Sequence, residues 1–198
     1  MSVLINSKDK FPLHVRKSEE FMKIAVYLGS SSGIDEKYSK LTKEIGNWLV
    51  EHKHTLVYGA GSKGLMGVLA DTVHQKGGRI IGVMPEFLLE QEKLYPAIDE
   101  LYMVDTMSKR KQKMIDEAES FIALPGGPGT LEEVTEIISL IRLNRISGSC
   151  VLWNLDGYYQ PLKDQLERMI ECGFLSAEMI DRVYFITSMD ELDAIFRG

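Results

Sequence analysis

The sequence predicts an α/β protein built on a doubly wound, mostly parallel sheet with helices on both faces. Strand-length apolar runs alternate with helix-period stretches from residue 23 onward. The runs are apolar at consecutive positions, as strands buried on both faces must be, and three of them end in glycine-rich loops. In such sheets ligands bind outside the carboxyl ends of the strands, where these three loops would converge.

Residues 1–22 are polar and irregular and read as a flexible leader, because a terminus without a buried stripe rarely orders. Residues 23–198 read as a single domain, a length suited to one core. The first strand covers 23–28. A loop of Gly29, Ser30, Ser31, Ser32 and Gly33 follows, and Asp35 is the expected N-cap of a helix reaching about His52. A second strand, 55–58, runs into the loop 59–67, GAGSKGLMG, and a helix that ends near Gln75 at the Gly77-Gly78 stop. A third strand, 79–84, is broken by Pro85, and 86–91 is a short helix or turn. A short fourth strand, 101–104, leads to a basic helix, 107–117, with Lys109, Arg110, Lys111 and Lys113. Phe121, Ile122, Ala123 and Leu124 form a buried strand that stops at Pro125-Gly126-Gly127-Pro128-Gly129. A helical pattern opens at Thr130 and repeats through Leu131, Val134, Ile137, Ile138 and Ile141. A strand at 150–154, an amphipathic helix at 159–171, a weak helix at 177–181, a strand at 183–186 and a helix from Met189 complete the chain.

The net charge of -6 argues against a surface that covers phosphodiester backbone, so nucleic acid is not an expected partner. No apolar stretch exceeds strand length and no signal-peptide core precedes the first strand, so neither a membrane nor export is expected and the setting reads as cytoplasmic. Cys150 and Cys172 lack a Cys-x-x-Cys spacing and read as reduced and structural. His14, His52, His54 and His74 show no metal-ligand spacing and read as surface or helix-end residues, and no metal is expected.

Gly126, Gly127 and Gly129 let backbone amides approach a ligand, and the following helix start adds unpaired donors and partial positive charge, a ready anion site. Glu132 and Glu133 lie beside it in the first helical turn, a combination that suggests chemistry on a phosphorylated substrate. Thr130-Leu131-Glu132-Glu133 is equally a capping box, in which Glu133 would bond back to the Thr130 amide. The preceding glycines favour the functional reading, because a cap does not need them. Residues 59–64 match GxGxxG, with Glu86 about twenty residues on, which would suit a dinucleotide; the loop follows the second strand rather than the first, and a pocket-lining role is preferred. The serines of 29–33 could close an ordinary turn or bind phosphate or ribose oxygens. The basic run could be a solvated face, but Arg110 or Lys111 in the first turn can reach the crevice, and a guanidinium fork suits an oxyanion.

The stretches GSSSG at 29–33, YGAGSKGLMG at 58–67, MSKRK at 107–111, PGGPGTLEE at 125–133 and NLDGYY at 154–159 together resemble the LOG (Lonely Guy) family, from about Lys23 to Phe196. Its members are cytokinin riboside 5′-monophosphate phosphoribohydrolases, many once labelled lysine decarboxylases, although no lysine site for pyridoxal phosphate is recognisable here. The resemblance implies a Rossmann-like homodimer that hydrolyses the N-glycosidic bond of adenosine 5′-monophosphates, usually N6-modified, to free base and ribose 5-phosphate, without a cofactor. It implies Arg110 and Glu133 as the catalytic pair. Its substrate contacts fall on Glu92, Lys111, Gly127, Pro128, Gly129, Thr130, Leu131, Glu132 and Ser139, beside the loop residues Gly29, Ser30, Ser31, Gly61 and Gly126 read above. Ser139 stands where plant members carry Thr, and Pro128 where an aromatic residue is often found. A non-catalytic nucleotide carrier on the same fold is the alternative expectation, because a fold does not dictate its function.

Overall fold

Every strand pairing in the sheet is parallel, and the strand order is β4-β3-β2-β1-β5-β6-β7. The structure is a computed structural model that describes residues 21–197; residues 1–20, most of the expected leader, lie outside the described residues. The strands are β1 Lys23–Tyr27, β2 Thr55–Tyr58, β3 Ile80–Pro85, β4 Glu100–Val104, β5 Ser120–Ala123, β6 Cys150–Trp153 and β7 Val183–Ile186. The helices are α1 Glu36–Glu51, α2 Gly64–Gln75, α3 Met107–Glu117, α4 Pro128–Arg142, α5 Gln160–Glu171 and α6 Met189–Arg197.

The period-2 alternation of β1 sorts its side chains between two cores. Ile24 and Val26 join Ile45, Leu49, Leu69 and Leu192 beneath α1, α2 and α6. Ala25 and Tyr27 join Met114, Val134, Ile137 and Leu166 beneath α3, α4 and α5. Covering both faces removes water from every central strand, which is why the runs are apolar throughout rather than alternating.

The chain starts in the middle of the sheet, winds outward through β2, β3 and β4, and then crosses back to lay β5 on the other side of β1. The winding direction therefore reverses between β1 and β5. Loops leaving adjacent strand ends at such a point diverge to opposite faces and leave a crevice between them.

Local details differ from the sequence reading in three places. Pro85 ends β3 within the ladder, in register with Val104, because a missing N–H costs little at a strand's last position. Helix α4 starts at Pro128 with Gly127 as N-cap, two residues before Thr130, and no side chain caps it. His54 is buried rather than superficial: its Nδ1 accepts the Met22 amide at 3.2 Å, and burial pushes its pKa down to about 4. Asp35 caps α1 as expected, accepting the Lys37 amide at 2.9 Å.

Candidate active site

The crevice at the switch point is a cleft of about 200 Å³. Its floor is the end of β1, its walls are the starts of α3 and α4, and Ser30, Gly59 and Glu92 close its rim. The three glycine loops converge on it. The Gly29 amide donates to Pro125 O at 3.3 Å, tying the first loop to the third, and a Cβ on Gly64 (φ +58°) would collide with Ser30 O, so the second loop lies directly on the first.

The α4 start forms one wall of the cleft. A Cβ built on Gly127 or Gly129 would meet nothing within 4 Å, so no neighbouring protein group demands glycine there; what the missing side chains leave open is the cleft. The first-turn amides of a helix have no intrahelical acceptor, and among the described residues those of Gly126, Gly127, Gly129 and Thr130 make no hydrogen bond. Because Gly127 holds the cap position, the capping box is not formed, and Glu133 is not engaged with the Thr130 backbone.

Glu133 sits one turn further along α4, partly exposed to the cleft. Desolvation raises its pKa to about 7; Arg110 and Lys111 oppose the rise, and Glu132 and Glu136 add to it. The same carboxylate, after burial itself, helps lift the hydroxyl of Tyr27 well above its ordinary range. Tyr27 lines the cleft floor and is stacked on Phe121.

Arg110, on α3, is 8 % exposed. Its Nη2 donates to Gly59 O at 3.0 Å, and a Cβ on Gly59 would overlap that nitrogen, so the glycine is the seat of the guanidinium. Arg110 Nε and Glu92 Oε2 are both buried with no hydrogen-bond partner, and both residues line the cleft. A buried donor and a buried acceptor left open at one cleft are what a ligand with complementary groups would fill.

The structure brings together Arg110, Glu133, Ser30, Glu92, Gly127, Pro128, Gly129, Thr130 and Glu132 around this cleft. The other expected contacts lie outside it. Gly29 and Gly126 pack the first loop against the third, and Gly61 packs on Met66 beside Glu92. Ser31 is exposed on its loop. Lys111 bridges Glu132 and Glu136 at 2.7 and 3.1 Å, joining α3 to α4. Leu131 is 45 % exposed on the outer face of α4, and Ser139 bonds back to Thr135 O at 2.8 Å. Sequence reasoning missed Tyr27 and the three methionines of the wall, Met66, Met107 and Met114. Tyr27 had a signal, as the last residue of the strand at the switch point; the methionines, adaptable in packing, had none.

The dinucleotide reading of 59–64 loses its footing here. Gly59 is spent on Arg110 and Gly64 on Ser30, so these glycines serve close packing within the protein. Among the described residues, no cluster of His, Cys, Asp or Glu could hold a metal ion, and no helix is long and apolar enough to cross a membrane.

Residues 66–195 match the family model described as possible lysine decarboxylase. The cytokinin riboside 5′-monophosphate phosphoribohydrolase LOG7 of Arabidopsis thaliana is 42% identical over 156 residues, covering 79% of this chain and 72% of its own. The chain belongs to the LOG family. Two further members of that family from Arabidopsis thaliana, LOG3 and LOG4, bear the same activity name and are each 39% identical over 160 residues, 81% of this chain and 74% of theirs. Solved structures that share the fold include the molybdenum cofactor binding protein of Rippkaea orientalis, with TM-score 0.66 at 19% identity over 90% of this chain and 99% of that one. The Moco carrier protein of Chlamydomonas reinhardtii gives 0.65 at 20% identity, over 88% and 94%. At these identities the likeness is one of fold. The LOG-family membership and the shared Rossmann-like architecture agree with the doubly wound topology described above.

Proposed function

We propose that this protein hydrolyses the N-glycosidic bond of adenosine 5′-monophosphates, N6-modified ones included, releasing free base and ribose 5-phosphate. The observation that carries the reading is one cleft holding a desolvated carboxylate with a pKa of about 7 and a buried guanidinium, beside a helix start with open amides. Phosphoribohydrolase is also the activity named for the LOG relatives.

The chemistry follows from those groups. As the bond between C1′ and the purine nitrogen lengthens, positive charge develops on the sugar ring, and a carboxylate beneath it lowers the barrier. Glu133, ionised above its pKa of about 7, supplies that charge and accepts a proton from the attacking water. The bonding pair leaves with the purine, which takes a proton from solvent, and the water oxygen adds to C1′. The amides of Gly127, Gly129 and Thr130 receive the 5′-phosphate, and Arg110, with its open Nε–H, binds phosphate or ribose oxygen and fixes the sugar against Glu133. The reading takes the chain to be a cytoplasmic homodimer.

Incubation with AMP and with N6-isopentenyl-AMP, followed by chromatography, tests the proposal. Free base should appear from the monophosphates and far more slowly from the matching ribosides. Tight AMP binding without release of base would instead support the carrier.

A further inference from the structure

Outside the cleft lining lies the turn from Asn154 to Tyr159, which the reaction above does not use. Both tyrosines of that turn point at the backbone of the third glycine loop. The Tyr158 hydroxyl donates to Gly126 O, and the Tyr159 hydroxyl donates to Leu124 O at 2.8 Å. The neighbouring carbonyls are also engaged: Pro125 O accepts the Gly29 amide at 3.3 Å and Gly127 O accepts the Leu131 amide at 3.1 Å. Four successive carbonyls of the loop are thus held.

A peptide unit is planar and trans, so fixing a carbonyl fixes the N–H on its other side in the opposite direction. The four bonds do not weigh equally by this rule. The peptides after Leu124 and Gly127 lead into Pro125 and Pro128, which have no N–H to aim. The Gly29 amide orients the Gly126 N–H, and the Tyr158 hydroxyl orients the Gly127 N–H. Gly127 lines the cleft and Tyr158 does not, so the bond from Tyr158 leaves that N–H pointing away from the tyrosine and free to face the cleft. The Gly126–Gly127 peptide is flanked by residues without Cβ and can rotate at little cost, which would exchange a donor for a carbonyl at the anion site.

We propose that Tyr158 is a positioning residue that latches the Gly126–Gly127 peptide with its N–H toward the bound phosphate, and that Tyr159 anchors the loop from behind. The turn is built to hold them. Asn154, buried, accepts the Tyr159 amide on Oδ1 at 2.7 Å. Asp156 takes a left-handed conformation (φ 49°) and pairs with Lys37 at 2.9 Å, fastening the turn to α1. The Tyr158 ring packs edge-on against Tyr159 and Tyr38. Its exposed setting argues against a purely core role, since the residue is 43% exposed while its hydroxyl is committed to a backbone carbonyl.

The proposal rests on the monophosphate reading for its substrate, but its test does not require turnover. Tyr158→Phe removes one oxygen and keeps the ring. Titration of inorganic phosphate by calorimetry should show affinity weakened about three- to tenfold, the scale of one net hydrogen bond. The KM for AMP should rise by the same factor with kcat within about twofold, because a phosphate contact is made alike in ground and transition states. The melting temperature should stay near wild type, and Tyr159→Phe should weaken phosphate binding too but with a drop in melting temperature. Unchanged phosphate affinity in Tyr158→Phe, or a fall in kcat with KM unaltered, would overturn the latch. If the wild type binds phosphate yet releases no base from AMP, the proposed hydrolysis fails while the affinity ratio still decides the role of Tyr158.

Discussion

Replacing Glu133 by Gln should stabilise the protein at alkaline pH while abolishing its proposed chemistry. The side chain keeps its shape, and only the charge is lost. In the folded state desolvation holds the Glu133 pKa at about 7, against an ordinary 4.5. A carboxyl whose folded pKa is raised binds its proton more tightly when folded, so native stability falls as pH climbs from 4.5 through 7. A shift of that size corresponds to about 3 kcal/mol at most, and the partial exposure of Glu133 reduces this to about 1.5 kcal/mol. For a chain of this length each kcal/mol moves the melting temperature by about 2–4 °C, so the Gln variant should melt about 3–6 °C above wild type at pH 8.5. At pH 4.5 the two curves should nearly coincide, since the wild-type carboxyl is then protonated as well. Differential scanning calorimetry across this pH range measures the gap directly. A variant that melts below wild type at pH 8.5, or a gap independent of pH, would refute the argument that Glu133 is a strained, desolvated group.

The glycines of the cleft separate binding from folding. Gly127→Ala adds a methyl to open space at an ordinary φ of -86°, so the melting temperature should hold while the KM for a monophosphate rises by about tenfold or more, the scale of losing a well-placed phosphate contact. Gly59→Ala should cost both stability and turnover, because the new methyl displaces the buried Arg110 guanidinium; a well-folded, fully active Gly59→Ala would contradict that seat. His54 titrates in the opposite sense to Glu133. Its folded pKa is depressed to about 4 from 6.5, so its contribution is fully present above pH 6.5 and is lost as pH falls toward 4, by at most about 3 kcal/mol. The acid limb of the melting curve should therefore flatten in His54→Gln, and an unchanged limb would show that folding does not depress the pKa of His54.

Much of this architecture is legible in the residues. Helix α3 has the bounds read for it, because Thr106 caps the start of an uninterrupted helix-forming run by accepting the Lys109 amide. The buried strands announce themselves as apolar runs, and Asp35 caps α1 through a bond that its position predicts. The start of α4 was displaced because Thr130-x-x-Glu133 imitates a capping box, whereas Pro128 fits the first helical position and Gly127 is free to precede it. His54 looked superficial because it follows a helix end, and only the long-range pairing with Met22 shows why it is buried. In the site, Arg110, Glu133 and the Gly127–Thr130 stretch were readable from loop chemistry and family pattern. Tyr27 was readable only as a residue near the end of the first strand, and Met66 and Met114 were not readable, since membership depends on which strand ends the topology sets side by side. Leu131 is exposed on α4, and Ser139 shares the phase of Glu132 but lies two turns further along the helix, beyond the reach of the cleft.

The most direct measurement is release of adenine from AMP at pH 8 by wild type and Glu133→Gln, followed by chromatography. Wild type should liberate base and ribose 5-phosphate in equal amounts, and the variant should be slower by about two orders of magnitude or more with its fold intact. Near-normal release by Glu133→Gln, or no base from any nucleoside monophosphate with the wild type, would contradict the assignment of this cleft to glycosidic hydrolysis.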